Sequence, residues 1–319
     1  MLIDLIIIAA SFAILVWSAD RFIDGAAAIA KSMGMPPLLI GMTIVSVGTS
    51  APEIIVSLMS ALSGAGSLAV GNALGSNIAN VGLVLGVTLL ISPIVVGRVT
   101  AFSDLPLLLA TILVCAVLLA DGVLSLVDAL ILLAGLVFFL WRMVKHKQHP
   151  DQADEVPAIP VMSPARAWLL FTAGLLLLVA SSRALVFGAV NIATSFGVSE
   201  LVIGLTIVAL GTSLPELAAA LLSAIRGHAD IAIGAVVGSN MFNLLVVLSL
   251  PGLFDRITLE PAALTRDLGT VLITTFLLAA ATWLAWNKQT GVAQLGRRLG
   301  AVFFASYVLY YGVLFYEFA

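Results

Sequence analysis

Apolar runs of about 17–25 residues, the length a helix needs to cross a bilayer, recur from one end of this chain to the other. Inside hydrocarbon no water reaches backbone N–H and C=O groups, so such a chain folds as a bundle of helices. Ten spans are predicted, at roughly 3–31, 37–62, 67–91, 103–120, 123–142, 166–195, 200–225, 230–250, 266–286 and 298–316. Only 10% of the 319 residues are charged, against about a quarter in soluble domains. The expected fold class is therefore an all-α polytopic membrane protein in the cell membrane. The basic residues are too few and scattered for a nucleic-acid surface. The single cysteine, Cys115, rules out an intrachain disulfide and argues against structural zinc. MLIDLIIIAA carries Asp4 and no basic leader, so a first membrane helix is expected there rather than a cleaved signal.

One long polar stretch, residues 143–165, separates two groups of five spans, giving expected halves of 1–142 and 166–319 around a linker loop. If the N-terminus lies outside, ten basic residues fall in inner loops and helix ends (Lys31, Arg98, Arg142, Lys145, Lys147, Arg166, Arg226, Lys288, Arg297 and Arg298). Only Arg256 and Arg266 fall in outer ones. Positive charge collects on the cytoplasmic side, so both termini are expected outside and the linker inside. Residues 25–86 align without a gap on residues 188–249, with 29 identities in 62 positions. Five spans is an odd number, so the second copy enters the membrane from the opposite side. That is the inverted repeat of many secondary transporters.

Each copy carries the same anomaly. GTSAPE (48–53) and GTSLPE (211–216) place a proline and a glutamate inside a span. Pro52 cannot donate to the Gly48 carbonyl, and Gly48 adds backbone freedom, so discontinuous second and seventh helices are expected. Carbonyls are expected to be freed around Val47 to Thr49 and around Leu210 to Thr212. Such backbone survives at membrane depth only when buried in protein or lining a wet cavity. Glu53 is the only ionisable residue in 37–62 and Glu216 the only one in 201–225; spans 67–91 and 231–250 have none. No lysine or arginine in these four segments can neutralise them, which leaves a proton or a bound cation. Hard oxygens without imidazole or thiol suit Ca²⁺ or Na⁺ rather than a transition metal.

The facing spans repeat as well. GNALGSNIAN (71–80) and GAVVGSNMFN (234–243) put Ser76 with Asn80, and Ser239 with Asn243, on one helix face. The pairs Gly71/Gly75 and Gly234/Gly238 permit close helix approach. Asn72 stands outside the expected site because its counterpart is Ala235, and Ser57, matched by Ala220, is expected to be dispensable. Asp20, Arg21 and Asp24 end the first span, where pairing or snorkelling is expected, and Asp20 corresponds to Arg183.

These two motifs, in both copies, resemble the alpha-repeats of the sodium/calcium exchanger family, within the cation/Ca²⁺ antiporters, and point to a prokaryotic-type member. The resemblance covers the repeat cores tightly and the ten-span plan throughout. It implies that Glu53 and Glu216 are shared Ca²⁺ and Na⁺ ligands and that backbone oxygens of Thr49 and Thr212 complete a Ca²⁺ site. It further implies Na⁺ positions lined by Ser50, Ser76, Ser213 and Ser239 with carbonyls of Ser46 and Ala209, and a central plane completed by Asn80 and Asn243. Sliding of the first and sixth helices across this core is implied too. Several relatives are acidic where this chain has Asn243, which argues against K⁺-dependent exchange. No cofactor, no catalytic residue and no obligatory protein partner is expected beyond the transported Ca²⁺ and Na⁺ and the lipid bilayer. The alternatives are an H⁺/Ca²⁺ antiporter on the same glutamates and, from another class, a passive cation channel. No nucleophile–base pair or phosphate loop suggests an enzyme.

Overall fold

The structure is a computed structural model that describes residues 1–34, 37–146, 162–196 and 209–318. It is nearly all helix. Helices α1 (Leu2–Ser32), α2 (Leu38–Thr49), α3 (Ala51–Leu62), α4 (Gly66–Ile91), α5 (Thr100–Leu118) and α6 (Leu126–His146) come from the first half. Helices α7 (Pro164–Ser195), α8 (Ala209–Thr212), α9 (Leu214–Ile225), α10 (Ala229–Phe254), α11 (Ala263–Leu284) and α12 (Arg297–Phe318) come from the second. Eight of these helices are long and apolar enough to cross a membrane, and α2 with α3 makes a ninth span bent by 46°. The predicted span 200–225 is seen only from α8 onward, because 197–208 lie outside the described residues, as do 147–161 of the linker.

The elements recur at the offset of the sequence repeat. Helix α3 maps onto α9 and the first part of α4 onto that of α10, each shifted by 163 residues. Chain direction can be compared where α1 meets α7. Asn191 donates to Asp4 at 3.1 Å at one end. Further along, a side chain at Gly174 would strike the Phe22 backbone, and one at Gly25 would strike Phe171 and Ala167. As α1 residues rise, their α7 partners fall, so these two repeat-related helices run antiparallel. Their backbones approach so closely because both positions lack a Cβ.

Two short sheets cap opposite ends. Strand β1 (Ile94–Val96) pairs antiparallel with β5 (Val292–Leu295), which pairs with β4 (Trp286–Asn287). Strand β2 (Val123–Leu124) pairs with β3 (Ile257–Thr258). These satisfy backbone groups where the chain leaves the helices.

Burial follows span composition. Leu2, Phe12 and Trp17 of α1, Val127 and Val137 of α6 and Leu309 of α12 are exposed, forming an apolar outer face suited to lipid. The most apolar windows of α4 and α10 are 78% and 94% buried, which makes them the inner wall. Two apolar clusters result. The larger centres on α4, α5, α10 and α11, and the smaller lies between α1, α7 and the adjoining faces of α2, α9 and α10.

Candidate cation site

The site begins at the two helix breaks. Proline occupies the second position of both α3 and α9, where its missing N–H costs nothing, and a glutamate follows in the first turn. Both carboxylates thus sit at helix N-termini, where negative charge is favoured. Ser50 separates α2 from α3, and Ser213 separates α8 from α9. The chain here bends rather than unravels: the Ser50 N–H still reaches the Ser46 carbonyl at 2.9 Å.

Glu53 is 2% exposed and Glu216 5%. They lie close enough for their charges to interact, and no basic side chain pairs with either among the described residues. The Ser50 hydroxyl donates to Glu216 Oε1 at 3.3 Å, bringing the break of one half onto the carboxylate of the other. The Thr49 hydroxyl donates within its own helix, to the Val45 carbonyl 3.1 Å away. Glu53 Oε2, Glu216 Oε2, Ser239 Oγ and both polar atoms of the Asn243 amide are buried without a hydrogen-bond partner among the described residues. Buried polar atoms are nearly always paired, so this concentration marks a place where something else completes the bonding.

Each residue expected in the site has a definite place. Ser46, Thr49, Ser50, Ser76, Asn80, Ser213, Ser239 and Asn243 are all buried. Thr212 ends α8 and lines a cavity of about 160 Å³ with Pro52, Pro215, Gly211, Ser182 and Arg183. Ala209 begins α8. The Ser46 hydroxyl donates to carbonyls of Gly41 (2.6 Å) and Ala235 (3.0 Å), tying α2 to α10. That contact requires Gly238, since a Cβ there would strike Ser46 Oγ and the Met42 backbone. The equivalent contact of Gly71 and Gly75 would involve 201–208, outside the described residues.

Three features escaped the motif reading. Asn80 and Asn243 each open a π-helical turn, Asn80–Leu85 and Asn243–Val247. Such turns occur often at functional sites. Asn240 accepts from Asn80 Nδ2 at 3.0 Å, joining the two facing helices. Asn72 donates to the Glu53 carbonyl (3.1 Å) and to Ser57 Oγ (3.0 Å), fastening α3 to α4 at the carboxylate. Repeat symmetry had set both Asn72 and Ser57 aside.

Carboxylates, hydroxyls and amide oxygens are hard ligands, the set that Ca²⁺ and other hard cations prefer. Comparisons agree with this chemistry. A model of the family described as sodium/calcium exchanger protein matches residues 3–145 and 166–316. The chain is 41% identical to a putative antiporter, CaxA, of Alkalimonas amylolytica, covering 99% of each. It is 29% identical to the sodium/calcium exchanger MaX1 of Methanosarcina acetivorans, covering 98% of this chain and 99% of that one. It superimposes on the sodium-calcium exchanger NCX_Mj, soaked with 2.5 mM Na⁺ and 0.1 mM Ca²⁺, with a TM-score of 0.82 at 29% identity over 97% of each chain.

Proposed function

As a member of the sodium/calcium exchanger family, the chain is a cation/Ca²⁺ antiporter, and we propose that it exchanges Na⁺ for Ca²⁺ by alternating access. The observation that carries this reading is the pair of buried glutamates at matched helix breaks, one of them bonded by Ser50 of the other half, with no basic partner among the described residues. Glu53 and Glu216 supply the charge. Thr49 and Thr212 complete a Ca²⁺ position, and Ser46, Ser50, Ser76, Ala209, Ser213 and Ser239 serve Na⁺ positions beside it. Asn80 and Asn243 close the central plane as neutral oxygens. Because both ions use the same two carboxylates, full occupancy by one excludes the other, and that exclusion couples their movements.

The protein sits in the cell membrane as two inverted five-span halves, with both termini outside and the 143–165 loop in the cytoplasm. Glu53 Oε2 and Glu216 Oε2, without a hydrogen-bond partner among the described residues, support one further reading, in which protons replace Na⁺ as the counter-ion. Ca²⁺ uptake into proteoliposomes under an imposed Na⁺ gradient, compared with a pH gradient, separates them. Uptake driven by Na⁺ alone is expected; uptake driven only by the pH gradient assigns the proton instead.

A further inference from the structure

Helices α1 and α7 pack chiefly on one another, through backbone contacts that fix them as one body. This pair meets the rest of the bundle in an apolar seam where Ala19, Ile23 and Ile29 of α1 cluster with Ile40, Val45 and Ala219. Apolar contact of this kind is non-directional and does not by itself fix one register.

Its two ends are held differently. At the end expected to be cytoplasmic, Asp20 and Asp24 stand one turn apart on α1, and Arg226 grips both carboxylates. Arg226 caps α9 in a turn closed by Gly227 at φ 79° and by the His228 N–H to the Ser223 carbonyl at 2.8 Å. This turn belongs to the helix that carries Glu216, so the ion pairs tie the mobile pair to the site-bearing core. Arg21 adds a contact to Asp24 at 3.6 Å.

At the opposite end the repeat places Arg183 for Asp20, Phe187 for Asp24 and Ser63 for Arg226. No ion pair joins α7 to the core there among the described residues. One hydrogen bond does, from Ser182 Oγ to the Gly211 carbonyl at 2.7 Å, close to the break. Beside it opens the 160 Å³ cavity that reaches Thr212 and both prolines. Of the repeat counterparts of its lining, Ala19, Ile23 and Ala219 are buried, whereas Val16 is exposed and Asp20 half-buried.

We propose that Asp20, Asp24 and Arg226 form a one-sided ionic lock that holds the cytoplasmic end of the α1–α7 pair shut, biasing the transporter toward its outward-open state. The inference rests on the alternating-access reading above. Loss of the lock moves the resting population inward, because a contact made in only one of two states shifts their balance by its full differential strength.

The test uses the full chain with Cys115→Ser and one reporter cysteine, Val186→Cys in the outer cavity or its repeat counterpart Ile23→Cys. Reaction with an impermeant thiol reagent is timed from each side of proteoliposomes. Arg226→Gln is expected to speed labelling at position 23 by about tenfold and slow it at 186, as a shifted two-state balance requires. The exchanged pair Asp24→Arg with Arg226→Asp is expected to restore protection. Unchanged labelling in Arg226→Gln overturns the lock, as does faster labelling at both positions without rescue by the exchange. If Na⁺ and Ca²⁺ alter labelling in the otherwise unmodified chain while Arg226→Gln does not, the lock fails and the antiport reading stands. If neither ion alters labelling at either position in any variant, the antiport reading fails and the lock with it.

Discussion

The Ser50 hydroxyl and the Glu216 carboxylate, 166 residues apart in sequence, meet at 3.3 Å where the two broken helices face each other. The first half therefore contributes a carboxylate of its own and a hydroxyl to the carboxylate of the second. Removing that hydroxyl leaves Glu216 in place but less well oriented. Hydrogen bonds to charged groups contribute about 1.5–3 kcal/mol, and this long one belongs at the lower end. Ser50→Ala is expected to weaken Ca²⁺ binding by about tenfold, read by isothermal titration in detergent, with folding unchanged. Undiminished affinity removes Ser50 from the site.

Glu53→Gln and Glu216→Gln are each expected to abolish exchange while leaving expression and thermal melting intact. Glutamine keeps the shape and one oxygen but loses the charge on which hard-cation sites depend. No basic partner among the described residues is orphaned by the change. Radiolabelled Ca²⁺ uptake and a melting curve on the same preparation decide the matter. Near-normal uptake in either variant makes that glutamate structural.

Gly238→Ala is expected to destabilise the bundle, because the added methyl would meet the Met42 backbone and the Ser46 hydroxyl with no flexible neighbour to yield. Overpacking of this kind costs about 1–3 kcal/mol, and it pries α10 from α2 beside the site. Gly312→Ala is the matched comparison. It lies on an exposed face of α12 with nothing among the described residues within 4 Å of the new methyl, so melting should hold or rise slightly. Equal melting temperatures for the two variants contradict the packing account.

His228 gives the turn that ends α9 a pH response. Burial holds its imidazole below the ordinary value of 6.5, the positive charge of Arg226 adds to this, and Asp24 opposes both. As pH falls past 6.5 the unfolded chain therefore takes up this proton before the folded one. The resulting loss of stability develops between 6.5 and the depressed value, and none of it is present above 6.5. His228→Gln is expected to melt less steeply with pH across that window than the parent. Identical pH profiles rule out the coupling.

Much of the site was legible because hydrocarbon makes polar residues conspicuous. Proline, glutamate and paired Ser/Asn positions inside spans have few uses, and their repetition at one offset removed most alternatives. Contacts made across the bundle were less accessible. Asn72 bonds to the Glu53 carbonyl, yet its repeat counterpart is an alanine, so a search for symmetric ligands passes over it. The π-helical turns opening at Asn80 and Asn243 depend on how neighbouring helices crowd the backbone, for which residue type gives little signal. Pairing at Asp20 and Asp24 was expected, but Arg226 as the partner was not, since it arrives from a turn 202 residues beyond Asp24. The five short strands carry too few residues for alternation to register.

The antiparallel contact between α1 and α7 has a mechanical corollary. A single stiff body whose two ends serve opposite faces acts as a lever: tipping it to admit solvent at one face presses the other shut. Leak then requires the body itself to bend or split, and the backbone contacts at Gly25 and Gly174 resist that. Larger side chains at those two glycines should therefore show first as uncoupled cation flux, before any loss of binding at the centre.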